Sequence, residues 1–328
     1  MPLHTKHLLS IADLTGDEIR DLVALATLFK ERRATAALPG RIIALLFEKP
    51  SLRTRVSFQV AMAQLGGQVS YLSRAEVGLG EREPCADVAR VLSRFADGIV
   101  VRTFRHETVQ EIAAHSTVPV INGLSDFEHP CQVLSDLMTI QEHLGRLSGL
   151  RLTYVGDGNN VAHSLLLGTA LVGMHMSIAC PAGYEPDALV LQRARALAAA
   201  TGASIQVGQD PARMARGADL LYTDVWTSMG QEVEQEQRKR DFQGYQINQA
   251  LLDLAAPDAL VMHDLPAHRG EEITADVLEG PRSVVFQQAE NRLHIAKALL
   301  VRLLARSADR DDASVIVPPD HLDREPMS

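Results

Sequence analysis

Residues 41–55 read RIIALLFEKPSLRTR. The run from Arg41 to Phe47 is too short for a helix and aliphatic enough for a strand buried in a parallel sheet. From Val56 to Leu65 apolar residues recur at helical spacing, and Gly66-Gly67 stops them. Pro50 stands where the strand has ended and the helix has not begun, a place that tolerates its missing N–H. Ser51, Arg53 and Thr54 therefore fall on a strand-to-helix turn. There the free N–H groups and the positive end of a helix dipole meet two hydroxyls and a guanidinium. That is the make-up of a phosphate cradle; the plainer reading is a charged helix start that only meets water.

Outward from this turn the chain alternates strands and helices, which implies βαβ units and a parallel sheet. Thr15–Glu18 reads as a capping box opening a helix that ends near Arg33. Strands are expected at 68–72, 98–103 and 118–121, with helices at 84–95, 107–115 and from Pro130 to about Leu147. The segment Ser73–Glu83 reads as a glycine-bearing charged loop, mobile or completed by a neighbour. The pattern restarts at Leu150, with strands at 150–155, 176–180, 203–207, 219–223, 259–263 and 283–286. A long helix at 288–306 and a charged tail at 307–328 close the chain. The fold class is thus α/β, with two doubly wound parallel-sheet domains, residues 1–148 and 149–287, and the helix 288–306 packing back on the first.

With 328 residues the chain is long enough for two domains, each with its own core. A net charge of −9 and the absence of a long basic stripe argue against a nucleic-acid partner. An anionic substrate must then be met by a local cluster of Arg and His. Cys85, Cys131 and Cys180 form no CxxC pair, which suggests neither zinc nor a disulfide framework and fits a reducing cytoplasm. No apolar run reaches membrane-spanning length, and MPLHTKHLL does not read as a signal peptide.

In open parallel sheets ligands bind beyond the carboxyl ends of strands. The residues just past each strand are Ser51, Arg53 and Thr54, then Arg102, His129 and Gln132, Asn159 and Asn160, Asp224 and Ser228, and His263 and Asp264. So many polar groups sorted to one end make a functional census. Gly156-Asp-Gly158-Asn-Asn160 hints at a dinucleotide fingerprint but lacks its third glycine. Asp224 could also be a plain N-cap for a helix near Gln231, and Trp226 reads as packing.

SxRTR at 51–55, HPxQ at 129–132, GDGNN at 156–160, DVWTSMG at 224–230, HxLP at 263–266 and AENRxH at 289–294 follow one another in that order. Together they closely resemble the ornithine carbamoyltransferases of the aspartate/ornithine carbamoyltransferase superfamily, over roughly residues 5 to 306. The resemblance implies carbamoyl transfer from carbamoyl phosphate to the δ-amine of L-ornithine, giving L-citrulline and phosphate for arginine biosynthesis. It implies that Ser51, Leu52, Arg53, Thr54, Arg102, His129, Gln132 and Arg292 hold carbamoyl phosphate. Arg102, His129, Asp264 and Arg292 would be catalytic. Asn160 and the Met229 backbone would hold the α-carboxylate of ornithine, with Asp224 and Ser228 on the α-amino end. It further implies a homotrimer or a multiple of trimers with shared sites, a cytoplasmic location, and no metal or organic cofactor. A dianionic leaving group suits bidentate arginines, and a tetrahedral oxyanion needs preorganised donors.

Two departures stand out. The family usually has cysteine in HCLP, near the reacting amine, where this chain has Asp264. An amine with a lysine-like pKa must lose a proton before attacking, at about 4–5 kcal/mol at pH 7, and an ionised Asp264 opposes that loss unless it accepts the proton itself. A different amine acceptor and a catalytically impaired relative are the alternatives this opens. Leu52 stands where the family often has threonine and can serve through its backbone. In relatives the loop around Gly78–Gly80 reaches a neighbouring subunit's site, and Gly78 brings no side chain there.

Overall fold

A computed structural model describes residues 3–32, 37–80, 82–228 and 230–305. The tail at 307–328, the expected helix end at Arg33 and Met229 lie outside the described residues. The first sheet consists of β1 (Ile42–Phe47), β2 (Gln68–Ser73), β3 (Gly98–Arg102) and β4 (Val120–Leu124), all parallel, in the order β2-β1-β3-β4. Its helices are α1 (Gly16–Arg32), α2 (Leu52–Gln64), α3 (Arg74–Val77), α4 (Cys85–Phe95), α5 (His106–His115) and α6 (Pro130–Leu144). The second sheet holds β5 (Arg151–Val155), β6 (His175–Ala179), β7 (Ile205–Gly208), β8 (Leu220–Thr223) and β9 (Leu260–His263), also parallel, ordered β7-β6-β5-β8-β9. Helices α7 (Asn160–Val172), α8 (Ala188–Thr201), α9 (Pro211–Ala215), α10 (Gln235–Asp241), α11 (Gln249–Leu252) and α12 (Ala275–Leu278) belong to it, and α13 (Val285–Leu304) closes the described chain.

The α/β reading therefore holds, with two parallel sheets and α13 returning to pack against α1, α2 and α6. The Thr15–Glu18 capping box forms as expected: the Thr15 hydroxyl accepts from Glu18 N–H at 3.2 Å, and Glu18 accepts from Thr15 N–H at 2.8 Å. Helix α6 is buried from Pro130 through Ile140, because α1, α7, α13 and β4 pack around it. The largest hydrophobic cluster runs through this layer and touches both sheets. Among the described residues no helix is long and apolar enough to cross a membrane.

Two sequence expectations need correction. No strand forms at 283–286: Ser283 makes a single bridge to Val261, and α13 starts at Val285. Four residues of mixed polarity carry too little periodicity to tell a strand from a helix start. Within 73–83, Arg74–Val77 is a helical turn, opened at Ser73, whose N–H and hydroxyl donate to the Glu76 carboxylate at 2.7 and 2.6 Å.

Candidate active site

Both sheets reverse strand order between neighbours, β1 against β3 and β5 against β8. The two switch points face one cavity of about 490 Å³, lined among others by Ser51, Leu52, Arg53, Arg102, His129, Asn160, Asp224, Ser228, Asp264 and Arg292. Ten of the residues singled out from sequence thus converge on one cavity. Thr54 and Gln132 stand behind its wall, and Met229 lies outside the described residues.

At the first switch point the turn is a helix N-terminus. Ser51 is the N-cap of α2, and its hydroxyl accepts from Thr54 N–H at 3.2 Å. The N–H groups of Leu52 and Arg53 then keep no helix partner, as first-turn donors do. The Leu52 side chain is exposed, consistent with a backbone role. Thr54 is fully buried; its hydroxyl receives Arg292 Nη2 at 2.6 Å and lies 3.5 Å from Arg102 Nη1. The register Phe47↔Arg102 is what brings Arg102 beside the turn. Burial, reinforced by the neighbouring Arg292, lowers the Arg102 pKa to about 9, so it stays cationic at neutral pH. Arg292 and Arg53 are lowered too, chiefly by burial. Three guanidiniums held this close favour an anion with more than one charge.

His129 caps the start of α6, its N–H donating to Ser164 Oγ at 2.9 Å. Burial, then Arg292 and Arg102, holds its pKa well below the ordinary imidazole value, so the ring is neutral. Gln132 donates to the buried Asp136 at 2.8 Å. Of eleven buried side-chain polar atoms without a hydrogen-bond partner among the described residues, four belong to residues singled out from sequence: Arg102 Nε, His129 Nδ1, Gln132 Oε1 and Asp264 Oδ1. Buried polar atoms are rarely left so, and three of these four, on Arg102, His129 and Asp264, belong to residues lining the one cavity.

His129 also sets a pH dependence. With its folded pKa depressed and its unfolded pKa near 6.5, the unfolded chain takes up a proton that the folded one refuses as pH falls below about 6.5. Stability is therefore lost in that direction. Asp136, raised to about 7 by burial, titrates with the opposite sign, so a difference measurement is needed. Between pH 7.5 and 5.0 the Tm of a His129→Gln variant is expected to fall less than that of the unaltered protein; an equal fall would remove His129 from the account.

At the second switch point Asn159 caps α7, its Oδ1 accepting from Val161 and Ala162 N–H at 3.0 and 3.1 Å. Its Nδ2 donates to Asp224 Oδ2 at 2.8 Å. Asp224 is thus held by a cap and does not itself cap a helix. An Asn159→Ala variant should lose about 1 kcal/mol of stability with the cap, and should raise KM for the amine substrate by releasing Asp224. Calorimetry and steady-state kinetics check this; an unchanged KM would show that Asp224 needs no anchor. Asn160 donates to Ser125 O at 2.7 Å, tying the two sheets together across the cavity. The glycine of Gly158 answers to packing: a Cβ there would lie 2.2 Å from Pro186 N. The loop bearing Ser228 is pinned by buried Arg238, which donates to Asp157 at 2.8 Å and to Trp226 O at 3.0 Å. Trp226 stacks on Phe242, in line with a packing role.

The register Thr223↔His263 sets Asp224 and Asp264 side by side. One oxygen of each and a His263 nitrogen lie within 4.8 Å of one another. The Leu265 N–H donates to His263 Nδ1 at 2.9 Å, and the other ring nitrogen meets Glu272 at 3.0 Å. Flanking carboxylates, Asp264 and Glu272, pull this imidazole up to about 9 against its burial. Burial and the charge of Asp264 push Asp224 well above the carboxylate range. The pair shares one proton, resident on Asp224, and Asp264 carries the charge.

Lys49, Glu271, Gln235 and His268 also line the cavity but are not singled out from sequence. Lys49 was legible as one more cation in the 41–55 stretch; it is buried with its ammonium 4.4 Å above the Phe104 ring. The cavity is therefore cationic at the α2 end and acidic at the β8–β9 end.

Comparison with known proteins matches residues 6–142 to the carbamoyl-P binding domain and residues 148–303 to the Asp/Orn binding domain of aspartate/ornithine carbamoyltransferase. An ornithine carbamoyltransferase of Gloeobacter violaceus is 55% identical over 297 residues, 90% of this chain and 95% of that protein. The structure of the Pyrococcus furiosus ornithine carbamoyltransferase superposes with a TM-score of 0.90 at 48% identity, covering 93% of this chain and 98% of that one. That of Thermus thermophilus gives 0.84 at 50% identity, covering 92% and 99%.

Proposed function

Since the chain belongs to the aspartate/ornithine carbamoyltransferase family, we propose that it transfers the carbamoyl group of carbamoyl phosphate to the δ-amine of L-ornithine, giving L-citrulline and phosphate. The observation that carries the chemistry is the set of orphaned polar atoms, Arg102 Nε, His129 Nδ1, Gln132 Oε1 and Asp264 Oδ1, around a cavity cationic at one end and acidic at the other. Relatives bearing the ornithine name at 50% identity and above favour ornithine over another amine.

In this reading residues 1–148, joined by α13, bind carbamoyl phosphate, and residues 149–287 bind ornithine. The free N–H groups of the α2 turn, with Ser51, Arg53 and Arg292, take the phosphate; Arg102, Thr54 and His129 face the carbamoyl oxygen, and Gln132 the carbamoyl amide. Asn160, Asp224, Ser228 and Met229 address ornithine. The unprotonated δ-nitrogen attacks the carbamoyl carbon, forming the C–N bond. The oxyanion is stabilised by donors already in place, the C–O bond to phosphate breaks, and the nitrogen gives up its extra proton. Arg102 and Arg292 offset the charge of the departing phosphate. The protein acts as a cytoplasmic homotrimer, or a multiple of trimers, in arginine biosynthesis.

The test is direct. Purified protein is given carbamoyl phosphate with ornithine, putrescine, lysine or acetylornithine, and ureido product and phosphate are measured. Turnover with ornithine in preference to the others is expected. Turnover only with another amine, or none, would overturn the assignment.

A further inference from the structure

A second cavity, of about 370 Å³, opens at the amino ends of the strands in the second sheet. The active-site residues follow the carboxyl ends of the same strands, so β5, five residues long, separates the two by about 16 Å. Alternate residues of neighbouring strands share a face, and the registers Arg151↔His175, Thr153↔Ser177 and Ser177↔Gln206 align five polar side chains on this one. On the opposite face Leu152, Met176 and Ile178 enter the main core. Strands of a parallel sheet are ordinarily apolar on both faces. Here one face turns polar at its amino end, and Arg213 and Arg216, three apart on α9 and at its end, stand over it.

The charge is as uneven as the polarity. Arg151, Arg213 and Arg216 line the cavity, and among the described residues no Asp or Glu does. Among the described residues none of these three guanidiniums makes an ion pair or a side-chain hydrogen bond. The carboxylates nearest in sequence are occupied elsewhere: Asp219 accepts from Arg151 N–H at 2.7 Å and Asp210 from Arg213 N–H at 3.0 Å. The walls are held in place. His175 Nδ1 meets Ser204 Oγ at 3.0 Å, and Thr153 donates to Met214 O at 2.8 Å. The Arg151 guanidinium lies against Gly217, where a Cβ would sit 3.1 Å from Nη2. In a chain of net charge −9, three unpaired guanidiniums around one polar hollow are a local inversion of the field.

We propose that this cavity binds a small phosphate-bearing anion, with Arg151, Arg213 and Arg216 on the phosphate oxygens and Ser177, Ser204 and His175 on its remaining polar groups. This is a second anion site, separate from the carbamoyl phosphate pocket and independent of the reaction assigned to that pocket.

Titration calorimetry with inorganic pyrophosphate tests it on the full-length protein. Two classes of site are expected, one at each cavity. In the triple variant Arg151→Gln, Arg213→Gln, Arg216→Gln the second class should disappear, while the turnover of carbamoyl phosphate and ornithine persists. Arg216→Gln alone, on an exposed position, should weaken that class about tenfold, and serves if the triple variant does not fold. Glycerol phosphate in place of pyrophosphate separates a phosphate ester from free polyphosphate as the ligand. A single class in the unaltered protein, or two classes left intact by Arg216→Gln, would overturn the proposal without touching the carbamoyl-transfer reading.

Discussion

Arg102→Gln is expected to lower kcat about 10³-fold while moving KM for either substrate far less. The reason is where the guanidinium stands. It sits at the end of β3, buried, with Nη1 3.5 Å from Thr54 Oγ1 and Nε without a protein partner. Its charge faces the phosphate already in the bound substrate, but the carbamoyl oxygen adds a full countercharge only on becoming an oxyanion, so that added stabilisation falls on the transition state. Removing one preorganised neutral donor of this kind costs about 10²–10³ in kcat, and a buried cation belongs at the upper end. Burial first and Arg292 second depress the Arg102 pKa, so neutralising Arg102 removes a desolvated charge and relieves repulsion in the free enzyme. The Tm should hold or rise. A variant with kcat within about tenfold of the original would show that Arg102 is not aimed at the reacting group.

Asp264→Cys is the second large effect, and it should act through pH. Asp264 carries the charge of a carboxyl pair whose proton rests on Asp224, and its Oδ1 accepts no hydrogen bond, with His263 Nδ1 3.4 Å away. An ammonium fits there, which strengthens ornithine binding and opposes the deprotonation that makes the amine a nucleophile. Two unit charges at about 4 Å interact by up to about 4 kcal/mol in a surface-like dielectric. If a third of that bears on the amine pKa, the shift is about one unit, or tenfold in the reactive fraction. In the cysteine variant the acid limb of the kcat profile should therefore move about one unit lower and kcat at pH 7 should rise about tenfold, while KM for ornithine rises as the ammonium loses its partner. Loss of turnover at every pH would instead make Asp264 the proton acceptor.

The contact between Asp224 and Asp264 changes the expectation drawn from sequence. That expectation set Asp224 on the α-amino end of ornithine and Asp264 near the reacting amine. Side by side, the two carboxyls can meet the same ammonium group, and their shared proton couples them. Nothing local announces this, because forty residues separate them and only the pairing of β8 with β9 brings them together. Arg102 reaches the 51–55 turn through the pairing of β3 with β1, and Arg292 through the return of α13. By contrast the strand-to-helix turn bearing Ser51, the Thr15–Glu18 box and the buried strand β1 were all legible, since each is written in adjacent residues. The short segments failed for the matching reason: 283–286 and 74–77 are too brief for their periodicity to decide between strand, turn and helix.

From its sequence alone this protein is committed to alternating apolar strands and amphipathic helices, to polar groups sorted past the strand ends, and to an anion-seeking turn at 51–55. Those properties depend on neighbours within a few residues, whose spacing and capping chemistry act before any packing. Strand order, and with it the meeting of Arg102, Arg292 and Thr54 and of Asp224 with Asp264, belongs to the tertiary structure. It is set by which faces bury one another across layers, a competition among all the helices and both sheets at once, and no single strand encodes its neighbour.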